Sequence, residues 1–403
     1  MIWRRWGLKD NPYHLHPIDE ASLDLFTGRE REIQLLKSWS ADKSNVILMF
    51  SPDGVGSSAI GNYLRFDFLR TQTYFTPCAE LMLSRDFSLA QIASNLLAAS
   101  LPLLRQKHPF LIRDETYVKA DTLLKKMAVL NEGESGKNRI YGWEINSMAN
   151  ENFAIEALEL CRDLVLKLGY ERGVVVLLQF VTTPSKIRSL AINDCARRLH
   201  KLFQVEGLKW VLMANEALTD FFTAELLPQD TVDYSILRVG SLGIQNVKEV
   251  LERRKEKLAF DSSVQLPLDS SLLEYLYGAS AGKIRQTLKV SSLILSLFDT
   301  REVCNVIDSE RAVPVLAKYF QDQIYRAKLS SLSLDILKLL TQEGGTSSGE
   351  IAKRLRRRHS NVSRVLALLV YSGLVQVKPD TGDRRARVYT PLMESRIAFS
   401  HVS

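Results

Sequence analysis

No apolar run in this chain of 403 residues approaches the 18 uninterrupted residues that a membrane-crossing helix needs. The opening Met1-Ile2-Trp3-Arg4-Arg5-Trp6 lacks the apolar stretch of a secretory signal. Both absences argue against a membrane role and make the cytoplasm the expected compartment. Cysteine is scarce. Cys78, Cys161, Cys195 and Cys304 show no CxxC spacing, so neither a zinc site nor a disulfide framework is expected. No Ser-His-Asp, Cys-His or paired-carboxylate constellation stands out, and neither an internal repeat nor a low-complexity tract is evident. His14 and His16, near Asp19 and Glu20, lie in a proline-bracketed segment from Asn11-Pro12 to Pro17. That segment reads as an extended lead-in, and no metal is expected there.

Another absence falls inside a motif. Ser51-Pro52-Asp53-Gly54-Val55-Gly56-Ser57-Ser58 is laid out like the phosphate-binding pattern GxxxxGK[ST], with Ser57 where the lysine belongs. Val46 to Phe50 reads as a buried strand before it and Ala59 to Leu69 as the helix after it. In such a loop backbone N–H groups cradle phosphates, the lysine adds a point charge and the next hydroxyl holds Mg²⁺. Gly54, Val55, Gly56, Ser57 and Ser58 keep the cradle and lose the charge. Taken alone, they also fit an ordinary strand-to-helix turn.

Other segments follow in a telling order. Phe26-Thr27-Gly28-Arg29-Glu30 precedes the loop, while Gly173 to Phe180 and Lys209 to Asn215 read as two further buried strands. Val250-Leu251-Glu252-Arg253-Arg254 and Gly278-Ala279-Ser280-Ala281-Gly282-Lys283-Ile284-Arg285 come later. Together they resemble the AAA+ ATPases of the origin-recognition and replication-initiator type. The resemblance implies an α/β core of P-loop NTPase type, an α-helical lid, Asn215 as sensor 1 and Arg285 as sensor 2. It also places the two Walker B acids at Gln179 and Phe180, neither of which is a carboxylate. Losing the lysine and both acids removes metal charge neutralisation and water activation, on which phosphoryl transfer depends. The expectation is a degenerate module without hydrolysis. It holds no cofactor, or binds ATP or ADP weakly through Gly28, Arg29, Gly54, Val55, Gly56, Ser57, Ser58, Asn215 and Arg285.

The net charge of +7 is unevenly placed. Residues 327–403 hold 13 Lys/Arg against 6 Asp/Glu, which leaves 40 of each sign in residues 1–326. A neutral body with one basic module is the footprint of a protein that docks on nucleic acid. The module patterns as a winged helix. Leu332 to Thr341 reads as a first helix ended by Gly344-Gly345, and Ser347 with Glu350 forms a capping box for a short helix through Leu355. Ser360 caps a third helix whose apolar Val362, Val365, Leu366 and Leu369 fall on one face. Two strands, Leu374 to Val377 and Arg384 to Thr390, read as a wing. Ser372-Gly373-Leu374-Val375 resembles the entry to the wing in MarR-like and initiator-type winged helices. Candidate DNA contacts are Arg356, Arg357, Arg358, Ser360, Asn361, Ser363, Arg364, Arg384, Arg385 and Arg387.

The expected architecture is an extended lead-in at 1–19, an α/β core at 20–235, an α-helical lid at 236–326 and a winged helix at 327–403. An insertion at about 103–150 ends in the polar stretch Asn131 to Asn138 and reads as a surface loop or a partner-binding embellishment. The expected function is duplex DNA binding by an initiator-like protein whose body is a scaffold for self-association or a partner. Two alternatives stay open: a nucleotide-switched ATPase completed by a partner subunit, and an adaptor whose winged helix meets protein.

Overall fold

The computed structural model describes residues 2–42, 44–77, 80–83, 88–135, 147–180, 192–227, 233–298, 306–379 and 387–400. The chain divides into two compact units, 17–240 and 1–16 with 241–403.

In the first unit, strands β1 (Val46–Ser51), β2 (Leu81–Leu83), β3 (Val174–Phe180), β4 (Leu208–Asn215) and β5 (Tyr234–Arg238) form a parallel sheet of order β2-β3-β4-β1-β5. Its central strands are continuous apolar runs because both faces are covered. Alternate residues feed two cores. Ile47, Met49, Val175, Leu177, Val211 and Met213 meet α1 (Glu30–Ala41) and α2 (Ser57–Thr71). Leu48, Phe50, Val176, Leu178 and Leu212 face the opposite side, with α3 (Leu89–Lys107), α4 (Glu115–Ser135), α5 (Ser147–Lys167) and α6 (Ile192–Phe203). Asp67 of α2, nearly buried, is held by Lys37 at 2.5 Å and Arg70 at 3.1 Å, which ties α1 to α2.

The stretch expected as an insertion is largely helical. Residues 103–107 complete α3, and α4 runs to Ser135, so Asn131 to Ser135 are not loop; 136–146 lie outside the described residues. The apolar positions Leu104, Tyr117, Leu123 and Met127 are buried with Leu158 and Leu164 of α5, and that shared core makes these helices a layer of the fold. Cys161 is buried there too, and desolvation pushes its thiol up to about 12.

The second unit joins α7 (Ile244–Leu258), α8 (Ser270–Ala279), α9 (Ile284–Leu297) and α10 (Ser309–Arg326) to the winged helix. The lead-in expected at 1–19 is packed where it was expected to be extended. Ile2–Trp6 forms a 3₁₀ turn, and Trp6, Leu8 and Tyr13 are buried among the lid helices. The Leu268 N–H donates to the Tyr13 hydroxyl at 3.1 Å. Arg254 donates to the carbonyls of Pro12 at 3.1 Å and His14 at 2.9 Å, and burial holds its guanidinium down to about 10. The prolines suggested extension, but three apolar side chains had a helical surface to cover.

The winged helix comprises α11 (Ser331–Glu343), β6 (Thr346–Ser347), α12 (Ser348–Arg354), α13 (His359–Tyr371), β7 (Val375–Pro379), β8 (Arg387–Pro391) and α14 (Met393–Phe399). Gly344 closes α11 at φ 74°, and the strands form a sheet of order β6-β8-β7. Lid and winged helix share one core: Leu316, Phe320 and Ile324 of α10 cluster with Ile336, Leu340, Ile397 and Phe399. Gln321 also donates to the Ala398 carbonyl at 2.5 Å. Among the described residues no helix is long and apolar enough to cross a membrane.

Cutting the chain at Arg326 therefore strips α10 of the apolar partner α14. A 1–326 fragment is expected to bind the hydrophobic dye ANS and to lose part of its cooperative unfolding transition. A sharp two-state melt without dye binding would show that the lid is self-sufficient.

Candidate functional site

Parallel strands end together, so the carboxyl edge of the sheet gathers the loop residues. Ser51 at the end of β1 lies in register with Asn215 at the end of β4. The chain then turns through Gly54 at φ 82° and Gly56 at φ 101°, conformations that side-chain-bearing residues rarely adopt. α2 starts at Ser57, two residues before the helix expected from sequence, so Ser57 and Ser58 occupy its first turn. The first amides of a helix have no intrahelical partner, and this turn contains no acid. The Asn215 side chain donates to the Asp53 carboxylate at 2.9 Å and accepts from the Ala217 N–H at 2.9 Å.

Arg29 approaches the loop from behind. Its buried guanidinium donates to Glu32 at 2.8 Å, to the Val55 carbonyl at 3.0 Å and to the Gly240 carbonyl at 2.8 Å. It therefore braces the loop through a carbonyl. Gly28, at φ 78°, donates its N–H to Glu30 at 2.9 Å, and Phe26 stacks on Tyr63 of α2 at 4.4 Å. At the end of β3, Gln179 is half-buried and Phe180 is buried 5.0 Å from Phe222. Arg285 stands exposed in the first turn of α9, in the other unit. Gly54, Gly56 and the first turn of α2 fit a phosphate. The end of β3 does not fit a Mg²⁺ ion, because an amide and a phenyl ring stand where carboxylates would be needed.

The second group of candidates lies on the winged helix. After α12 the chain reverses through Arg356 at φ 50°, with the Arg357 N–H bonded to Ala352 O at 2.9 Å and the Arg356 N–H to Lys353 O at 3.2 Å. This is the paired closure that usually places glycine in the left-handed position. Arg358, already extended, caps α13, which starts at His359. Ser360 is therefore inside the helix and does not cap it. Val362, Val365, Leu366 and Leu369 are buried, while Ser360, Asn361, Arg364, Ala367, Leu368 and Tyr371 form the exposed arc. Ser363, expected on the outer face, is half-buried at the edge of that arc.

Arg354 is tied to Glu350 at 3.0 Å and to Glu343. Arg356, Arg357, Arg358 and Arg364 are exposed and form no ion pair among the described residues. Arg387 is exposed at the start of β8, whereas Arg384 and Arg385 lie outside the described residues.

Residues 329–386 match the MarR family. Over nearly the whole chain the structure is similar to the ORC2 protein of Aeropyrum pernix, solved as ADPNP–ADP complexes. The TM-score is 0.51 at 14% identity, covering 97% of each chain. It is also similar to a Walker-type ATPase of Pyrococcus abyssi, with a TM-score of 0.50 at 12% identity, covering 96% of this chain and 99% of that one. The overall fold is thus similar to that of these two proteins, and it ends in a winged helix of MarR type. No curated protein matches the sequence.

The bracing role of Arg29 and the exposed Leu368 and Tyr371 escaped the sequence reading. Helical spacing alone would have put both side chains on the arc of Asn361 and Arg364. A left-handed Arg356 costs about 1–2 kcal/mol of steric strain, against about 0.5–1 kcal/mol of chain entropy for glycine. Arg356→Gly is therefore expected to stabilise the protein by up to about 1 kcal/mol in a denaturant titration. A clear loss of stability would show that the arginine is anchored in the fold.

Proposed function

We propose that this chain is an initiator-like protein that binds duplex DNA through its winged helix. Its AAA+ body serves as a scaffold, for self-association or for a partner, that does not turn over ATP. The observation that carries this reading is α13 itself: from His359 to Tyr371 it contains no Asp or Glu, and arginines that form no ion pair among the described residues crowd its amino-terminal end. Helices ordinarily carry acids in the first turn to offset the positive end of the macrodipole. A helix that lacks such acids and is preceded by arginines, as at Arg356 to Arg358, is destabilised alone and stabilised beside phosphate. The location of the whole net charge in residues 327–403 points the same way. The first turn of α13 is also the end that meets base edges in helix-turn-helix docking.

The glycine cradle at 54–56 supports a second reading: a nucleotide phosphate rests on the first turn of α2, stays unhydrolysed and biases the body toward one assembly state. A partner subunit would then have to bring the missing charge. An adaptor that meets protein through the winged helix would bind without releasing counterions.

Four phosphate contacts, from Arg356, Arg357, Arg358 and Arg387, should give duplex binding a log–log salt slope of about −4. The double variant Arg357→Ala/Arg358→Ala should weaken binding to all sequences and reduce the slope by about two. Changing Asn361 or Arg364 should cost about 1–3 kcal/mol on a preferred site and spare non-specific binding. A slope near zero would favour the protein adaptor. ATP hydrolysis by the isolated full chain should not exceed background, and Ser57→Lys alone should not create it. A turnover on the order of 1 s⁻¹ that Ser58→Ala abolishes would restore the enzyme reading.

A further inference from the structure

The exposed arc of α13 has two halves. Its amino-terminal half carries Ser360, Asn361 and Arg364, whereas its carboxyl-terminal half carries Ala367, Leu368 and Tyr371. Leu368 is 60% exposed and Tyr371 is 92% exposed. Apolar side chains scattered singly on a surface need no explanation. These two are not scattered, because at 3.6 residues per turn Asn361, Arg364, Leu368 and Tyr371 fall at i, i+3, i+7 and i+10 on one stripe. The stripe continues the surface of exposed arginines, and no acid of α13 interrupts it. Charge complementarity therefore gives the apolar end the same occupant as the basic end.

We propose that Leu368 reads the 5-methyl group of a thymine in the major groove, with Tyr371 packing on the sugar–phosphate edge beyond it. This inference rests on the DNA-binding reading above and deepens it by naming the base that the apolar half selects. The major groove admits an α-helix and presents the thymine methyl as its one apolar feature, and aliphatic side chains contact that group. Asn361 suits adenine and Arg364 suits guanine in the same groove. Seven residues of helix rise about 10 Å. With base pairs stacked about 3.4 Å apart, Leu368 lies at most about three steps from the base that Asn361 reads. The preferred site is thus expected to contain a thymine within about three base pairs of that adenine.

The test uses the full chain. A preferred duplex is first selected from a random pool at fixed salt, and each of its thymines is then replaced by deoxyuridine, which removes only the methyl. The wild type is expected to lose about 3- to 10-fold in affinity at one thymine. Leu368→Ala should bind the thymine and deoxyuridine duplexes within about twofold of each other, with the salt slope unchanged. Leu368→Met, which keeps an aliphatic tip, should retain the discrimination.

Equal binding of all deoxyuridine duplexes by the wild type, or undiminished discrimination by Leu368→Ala, overturns the inference while leaving DNA binding intact. Absence of salt-dependent duplex binding by the wild type overturns the functional reading, and this inference with it. A third result also overturns it: Leu368→Ala and Tyr371→Ala dissociate an oligomer in sedimentation and leave base discrimination unchanged. The stripe would then be a contact between copies of the chain.

Discussion

The guanidinium of Arg29 is the point on which the α/β unit turns. Two segments far apart in sequence converge on it, the loop at Val55 and the end of the unit at Gly240, beside Glu32 in the first turn of α1. The buried Val55 carbonyl would otherwise pay the desolvation cost of an unmade hydrogen bond, and the cation itself is neutralised by Glu32. The loop is therefore held in its cradle shape from behind, by a contact that needs no ligand in front. This explains how Gly54 and Gly56 keep their left-handed backbone although the lysine that would justify such a loop chemically is absent.

A different constraint governs the other unit. Apolar faces of the lid helices, of residues 6–13 and of the winged helix close on one continuous core. The basic module is thus joined through α14 to α10 of the lid, and Arg356, Arg357, Arg358 and Arg364 reach solvent from this shared core. Under the proposed function this fixing would matter, since a helix discriminates bases only when its side chains are held in register with the groove. The strained backbone at Arg356 fits this picture: strain persists where surrounding structure over-determines it, and it tends to mark working surfaces.

Much of this was legible in the residues. Val46 to Phe50, Gly173 to Phe180 and Lys209 to Asn215 are largely apolar runs long enough to declare buried strands, and Val362, Val365, Leu366 and Leu369 declare one face of a helix. The strands β2 and β6 were not legible, because three and two residues carry no periodicity. β5 was not legible either, because its five residues alternate only weakly. Ser360 looked like a cap because serine at a helix start usually is one, yet the turn at Arg356 delivers the chain already extended at Arg358.

The sequence by itself determined the class of elements, the presence of Ser57, Gln179 and Phe180 at their positions, and the concentration of charge in the last part of the chain, because composition, spacing and periodicity are local properties. Tertiary structure decided what those residues meet. It turned a proline-bracketed lead-in into core, made lid and winged helix one body, and assigned Arg29 to a bracing role. Each of these outcomes depends on surfaces contributed by residues more than 20 positions away, and burial of such surfaces is settled only when the whole chain has folded.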